Sequence, residues 1–202
     1  MTSPADAKAL LRQALRQRRK RLDGAAQASA ARQLVTFIEQ IPLWQQATSL
    51  AIYRPADGEI GTDPLIEKGR QLGKHIFLPV IDPDDRLRFA LWETQASLQE
   101  NRYGIGEPPP QAPRRALADI DILFMPLVGW DTRGGRLGMG GGFYDRCLGN
   151  TAWDKASPRP LLVGLAHDCQ EIACVPREPW DVALEYVATA SRLLRCAPAQ
   201  PA

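Results

Sequence analysis

Ile122-Leu-Phe-Met-Pro-Leu-Val128, then Gly134-Gly-Arg-Leu-Gly-Met-Gly-Gly-Gly142, then Phe143-Tyr-Asp-Arg146: these three successive pieces decide how the chain reads. The first is an apolar run of strand length. The second puts six of the sixteen glycines into nine positions. Backbone without Cβ atoms reaches φ > 0 and brings its N–H groups close to a ligand. The third piece can begin a helix. Strand, glycine loop and helix start together hold phosphates, because helix N-terminal amides and the dipole favour anions. Arg136 lies inside the loop and Asp145 just past it, one a cation for phosphate oxygens and the other a carboxylate for a metal. Gly134, Gly135, Arg136, Leu137, Gly138, Met139, Gly140, Gly141, Gly142 and Tyr144 are therefore the candidate nucleotide-binding residues. The segment matches neither the P-loop pattern nor a clean G-x-G-x-x-G. A glycine-rich turn can be a plain connector, but a connector would be Ser/Asn-rich and would not abut an aromatic pair.

Outward from this run, strands are expected near 49–53, 75–81, 87–92, 122–128, 161–166 and 186–190, and helices near 4–22, 26–39, 62–72 and 142–149. Strands alternating with helices imply a three-layer, Rossmann-like α/β domain: a mostly parallel sheet with helices on both faces. Leu87 to Trp92 follows an Asp-Pro-Asp-Asp turn and could be an antiparallel edge hairpin. The Pro- and Arg-rich stretch 101–119 reads as a long ordered loop over the site. Two hundred and two residues suit a single domain spanning 1–202, with a Pro/Ala tail at 197–202.

The N-terminus carries a second signal. Lys8, Arg12, Arg16 and Arg19 share one face of a helix over 1–24, and Leu10, Leu11, Ala14, Leu15 and Leu22 take the neighbouring arc. Ser3 is placed to cap this helix and Gly24 to stop it. Residues 1–32 hold eight Lys/Arg against two Asp, a charge of +6, while the other 170 residues carry −4. A nucleic-acid arm would have exposed aromatics or run into disorder. This helix has an apolar face made for docking, so it is expected to lean on the domain and deliver Lys8 and Arg12 to a polyphosphate.

A third cluster, Tyr53-Arg-Pro-Ala-Asp-Gly-Glu-Ile60, follows the strand Ser49–Ile52. It therefore occupies a loop at a strand's carboxyl end, where open α/β sheets build ligand sites. On spacing alone Asp57-Gly58 is turn chemistry and Glu59 a surface residue.

Taken together, these residues resemble the 5-formyltetrahydrofolate cyclo-ligase family, whose enzymes are also called 5,10-methenyltetrahydrofolate synthetases. The stretch Asp131-Thr-Arg-Gly-Gly-Arg-Leu-Gly-Met-Gly-Gly-Gly-Phe-Tyr-Asp-Arg146 is similar to the family's signature. The likeness continues through Lys8-x-x-Leu-Arg12, Asp57-Gly-Glu-Ile60, Tyr103-Gly-Ile-Gly-Glu-Pro108, Val163-Gly-Leu165, Gln170, Val175-Pro-x-Glu178 and Trp180-Asp181, in order and over nearly the whole chain. The resemblance implies a ligase of one-carbon metabolism that closes 5-formyltetrahydrofolate to 5,10-methenyltetrahydrofolate with ATP and Mg²⁺. It implies ATP on Lys8, Arg12 and the glycine loop, with Lys8 and Arg136 in catalytic roles. Mg²⁺ would sit on Asp145 and Asp181, and Glu59 would hydrogen-bond the pterin. Tyr53, Tyr103, Trp130, Phe143 and Tyr144 are candidates to stack on the folate rings, and at least two of the five are expected to be core instead. On its own, Asp181 after Trp180 reads as a helix cap, Asp131 as the cap of the turn before the glycines, and His167 as a packing residue.

Two other classes keep a claim on parts of the chain. A sugar-phosphate isomerase or CoA-transferase-like enzyme on a related scaffold would have no use for a basic helix aimed at three phosphates. A non-enzymatic RNA-binding protein would have no use for the glycine loop and paired aspartates. With no apolar run of the roughly 18–20 residues that span a bilayer and no secretory h-region, a cytoplasmic enzyme is expected. Cys147, Cys169, Cys174 and Cys196 lack C-x-x-C spacing, so free thiols are expected and zinc is not. The family suggests a monomer, and Arg114-Arg115 could assist polyglutamylated folate tails.

Overall fold

The computed structural model describes residues 4–94, 96–149, 159–178 and 181–197. Ser3, Trp180 and all but the first residue of the 197–202 tail lie outside them.

The order of elements is α1 (Pro4–Lys20), α2 (Gly24–Ile38), β1 (Ser49–Ala51), α3 (Asp63–Gln71), β2 (His75–Ile81), β3 (Leu87–Leu91), β4 (Gln99–Glu100), β5 (Gly106–Glu107), β6 (Arg114–Arg115), β7 (Ile122–Pro126), β8 (Gly129–Trp130), β9 (Arg136–Leu137), α4 (Phe143–Gly149), β10 (Leu161–Leu165), β11 (Tyr186–Ala188) and β12 (Leu193–Arg195). Eight strands form one sheet in the order β12-β11-β10-β7-β1-β2-β3-β6. The five from β11 to β2 run parallel, and β12, β3 and β6 each pair antiparallel to their inner neighbour. This is the expected mostly parallel α/β sheet. Its central strands are continuous apolar runs because both faces are covered. Leu50, Ile76, Leu78, Ile122, Phe124 and Val163 pack on one side with α2 and α3 residues such as Leu34 and Leu65. Ala51, Phe77, Leu123, Met125 and Leu162 pack on the other with Leu148 of α4.

Several expectations are corrected. Gly24 does not stop the first helix. That helix ends at Lys20, and Gly24 opens α2, with the Asp23 side chain accepting from the Ala26 amide at 2.8 Å. An Asp there satisfies an orphan amide, a better reason to start a helix than Gly is to end one. The glycine run is not one loop, because Arg136-Leu137 pairs antiparallel with Gly129-Trp130. Gly134 and Gly135 thus turn a short ribbon, and Gly138–Gly142 alone form the loop into α4. Residues 101–119 are not a single loop either: they contain β5, β6 and a 3₁₀ turn at Leu117–Asp119. β3 is not an edge, since β6 covers it. β12 has no counterpart among the expected strands.

The sheet places the site. From β1 the chain passes through α3 to β2 on one side, whereas from β7 it passes through α4 to β10 on the other. The carboxyl ends of β1 and β7 are therefore neighbours at a topological switch point, where α/β sheets open a crevice. The loop carrying Tyr53 to Ile60 leaves one of these strands and the glycine ribbon leaves the other.

Candidate active site

The crevice is a cleft of about 630 Å³. α1 brings Lys8 and Arg12 to it, the loop after β1 brings Tyr53 and Glu59, and the β4–β5 hairpin brings Tyr103. The loop after β7 and the start of α4 bring Arg136 to Gly142, Tyr144 and Asp145, and Asp181 reaches it beside Pro176 and Glu178. Thus the structure gathers most of the residues singled out in the sequence, from five separate segments, around one cavity.

Three do not line it. Trp130 is fully buried in the core, with Ile172 donating to its carbonyl at 2.9 Å. Strand β8 turns this ring away from the crevice, so Trp130 is corrected from a stacking candidate to a packing residue. Gly134 and Gly135 serve the ribbon turn. Gly134 has φ +77°, and a Cβ on Gly135 would come within 2.5 Å of Asp131 Oδ2. Asp131, fully buried, accepts from the Arg133 and Gly135 amides at 2.9 Å each, from the Val175 amide at 2.8 Å and from Arg177 at 3.1 Å. Burial pushes its carboxyl up, but the Val175, Gly135 and Arg133 amides outweigh that and hold it below its ordinary value. These two glycines are therefore corrected from phosphate ligands to parts of the Asp131 knot that anchors the ribbon.

The cations at the cleft already have partners. Lys8 Nζ lies 3.0 Å from Glu178 Oε1, and Arg12 Nε donates to the Gly138 carbonyl at 2.9 Å. Arg136, 7% exposed, donates to the Val182 carbonyl and pairs with Asp145. Asp181 accepts from the Glu178 amide at 2.8 Å, so it shapes the segment that carries Lys8's partner. Gly140 (φ +101°) and Gly142 (φ +64°) take conformations that L side chains rarely adopt, which lets the loop bend over the cleft.

Glu59 accepts from the Ala56 amide at 3.0 Å, and burial pushes its carboxyl above its ordinary value. Tyr53 donates its hydroxyl to the Ile60 carbonyl at 3.1 Å, and burial pushes that hydroxyl well up. Burial raises the Tyr144 hydroxyl too. Tyr103 is half exposed at the mouth, edge-on to Phe143 with centroids 6.1 Å apart. Glu107 pins this hairpin by accepting from the Ile81 amide at 3.1 Å and from Asn101 at 2.7 Å.

Asp57 is a centre of charge that sequence reading misses. Its carboxylate pairs with Arg16 at 2.6 Å, Arg19 at 2.9 Å and Lys20 at 2.5 Å. Arg16, with Lys20 and Arg19 and against the effect of burial, holds this carboxyl far below the usual carboxylate range. The signal in the sequence is the Arg16/Arg19/Lys20 spacing beside an Asp-Gly turn. The folded-state pKa lies below the unfolded one, so the ionised carboxylate stabilises the fold above about pH 4. That contribution disappears as the pH falls toward the folded-state value. Asp57→Asn is expected to cost about 1.5–3 kcal/mol at pH 7, the range of a charged hydrogen bond. The difference from wild type should shrink steadily below pH 4. Urea unfolding at pH 7 and pH 3 measures it, and an equal loss at both would show that the charge is immaterial.

Comparisons with known proteins come from three directions. The family model described as "5-formyltetrahydrofolate cyclo-ligase family" matches residues 4–190. A 5-formyltetrahydrofolate cyclo-ligase of Escherichia coli K12 is 40% identical over 182 residues, covering 89% of this chain and 98% of that protein. One from Haemophilus influenzae is 41% identical over 162 residues, covering 79% of this chain and 82% of its own length. Among solved structures, the 5,10-methenyltetrahydrofolate synthetase of Aquifex aeolicus superposes with a TM-score of 0.81 at 25% identity, over 96% of this chain and 95% of that one.

Proposed function

Because this chain belongs to the 5-formyltetrahydrofolate cyclo-ligase family, we propose that it closes 5-formyltetrahydrofolate to 5,10-methenyltetrahydrofolate in the β1/β7 cleft, at the expense of ATP and with Mg²⁺. The observation that carries the reading is the make-up of the cleft lining. Lys8, Arg12, Arg136 and the Gly138–Gly142 loop line it, a set for polyphosphate. The half-buried Glu59 carboxylate lines it too, close to the Tyr53 and Tyr144 hydroxyls, and this second set, the folate wall, suits a flat heterocycle with N–H donors.

The chemistry follows from the substrate. A formyl oxygen on nitrogen is a poor leaving group. The γ-phosphoryl group of ATP passes to that oxygen, ADP departs, and the formyl carbon becomes an iminium phosphate. N10 attacks this carbon and loses its proton. The C–O bond then breaks, phosphate leaves, and the methenyl bridge between N5 and N10 is complete. Such a transfer asks the protein for positioning and charge neutralisation rather than covalent help. Arg136 and Lys8 supply positive charge at the transferring group, and Arg12 with the loop amides holds the remaining phosphates. The carboxylate pairs of Lys8 and Arg136 fix both cations before the nucleotide arrives.

Among the described residues no cluster of three His, Cys, Asp or Glu could cage a metal ion. Two carboxylates in one cleft suit Mg²⁺ that enters on phosphate oxygens and keeps several waters. Asp145 and Asp181 would hold it there, where it would neutralise charge on the phosphates. Among the described residues no helix is long and apolar enough to cross a membrane.

The test of the folate wall is Glu59→Gln. Losing a charged acceptor is worth about 1.5–3 kcal/mol, so the Kd for 5-formyltetrahydrofolate should rise by about 10- to 150-fold while that for ATP stays put. Calorimetry with each ligand separately decides it, and an unchanged folate Kd would remove the pterin from this wall. Appearance of the methenyl product in proportion to ATP consumed tests the reaction itself. It also separates this reading from an isomerase, which needs no ATP, and from an RNA binder, which makes no product.

A further inference from the structure

Arg19 is fully buried, yet it does not line the cleft. Its guanidinium joins three segments. Nε donates to the Asp57 carbonyl at 2.9 Å, Nη2 to Asp57 Oδ2 at 2.9 Å, and Nη1 to the Leu127 carbonyl at 3.0 Å. Leu127 follows β7 at the switch point, and its carbonyl also accepts from Gln170 at 2.5 Å. Asp57 and Gly58 both lie in the left-handed region, at φ 51° and 77°. Aspartate tolerates that conformation in a turn, and Arg19, Arg16 and Lys20 hold the turn in place through its carboxylate. Glu59 comes next in the chain. Its amide donates to the Ala56 carbonyl at 2.9 Å and its carboxylate accepts from the Ala56 amide, so its direction into the cleft is set by this same turn.

We propose that Arg19 is the positioning residue of the folate wall: from outside the cleft it locks the Asp57-Gly58 turn against α1 and the end of β7, and so aims the Glu59 carboxylate. The proposal rests on the assignment of Glu59 to the pterin. Two properties of the guanidinium do different work. Its planar fork meets a carbonyl, a carboxylate and a second carbonyl at once, which a lysine ammonium on a flexible stem does not reproduce. Its charge bears on Glu59, whose carboxyl burial raises, the Ala56 amide and Arg19 lower, and Asp57 raises. The hydroxyls of Tyr53 and Tyr144 also face Glu59, and on its other side it shares a hollow against α2 and α3 with Arg32, Asp63, Glu67 and Lys68. Removing the charge therefore favours the protonated form of Glu59, which cannot accept from paired N–H donors.

The experiment is a double-mutant cycle read as the Kd of 5-formyltetrahydrofolate across pH 5 to 8. Arg19→Met is expected to raise the Kd by about tenfold or more and to move the acid limb of binding to higher pH. Arg19→Lys should weaken binding while leaving the limb in place. In a Glu59→Gln background either substitution should change the Kd by less than about threefold, because the residue through which Arg19 acts is gone. A substitution that merely loosened the fold would cost the same factor in both backgrounds, and that additivity, or an unchanged Kd in the single variants, would overturn the proposal. Should Arg19→Met fail to fold, the cycle with Arg19→Lys makes the same test of additivity. If Glu59→Gln alone leaves the folate Kd unchanged, it is the assignment of Glu59 that falls, and Arg19 with it.

Discussion

Replacing Arg136 with alanine is expected to lower the kcat for methenyl formation by about two to three orders of magnitude, the range found when a preorganised donor to developing charge is removed. Arg136 leaves strand β9 at the lip of the cleft and is almost wholly enclosed, with its guanidinium fixed by the Val182 carbonyl and by Asp145. Enclosure matters because a charge kept from bulk water acts on a transferring phosphoryl group with little screening. The KM for ATP should move much less than kcat, since Lys8, Arg12 and the loop still hold the nucleotide. Arg136→Lys should recover part of the loss, keeping the charge but not the planar fork. Steady-state kinetics of the three proteins, with melting curves to confirm folding, settles the matter. A variant whose whole deficit lies in KM would make Arg136 a binding residue with no role in the transfer.

Asp145→Asn is expected to cost about two orders of magnitude in turnover, for two reasons that can be separated. The carboxylate lies in the first turn of α4, 42% exposed on the side chain and facing the cleft, so it can meet a cation carried by the phosphates. It is also the ion-pair partner of Arg136. Loss of the metal role would move the Mg²⁺ requirement to higher concentration, and saturating Mg²⁺ would restore much of the rate. Loss of the pairing role alone would lower the rate at every Mg²⁺ concentration with no shift of the curve. A Mg²⁺ titration of product formation distinguishes them. A variant of normal rate and unshifted curve would leave Asp145 as a helix-start residue and turn attention to Asp181.

Much of this is legible in the chain because the signals are local. Apolar runs of strand length between Gly- and Pro-marked turns locate six strands of the main sheet, β1, β2, β3, β7, β10 and β11, and their alternation with helices implies a parallel sheet. The switch point then follows, and with it the meeting of Tyr53–Ile60 with the glycine segment. What is not legible depends on contacts between distant residues. Arg136-Leu137 looks like loop because it is flanked by glycines, and only pairing with Gly129-Trp130 makes it strand. Trp130 reads as a ligand-stacking ring until that same pairing turns it inward. Leu193–Arg195 carries no strand pattern beyond its two leucines and exists because β11 offers it an edge. Asp57 shows no special character in sequence, since three cations reach it from a helix some forty residues away.

The sheet's two rims have a consequence for life at high protein concentration. One rim is β12, three residues ending in Arg195, and the other is β6, the two residues Arg114 and Arg115. A long, flat, apolar border invites another chain to add a strand, and from there to aggregate. Here the apolar parallel strands lie inside, and each border is a stub that carries arginine: Arg195 after two leucines on β12, Arg114 and Arg115 on β6. Cross-chain zippering of the folded protein would have to begin on two or three residues with a guanidinium among them.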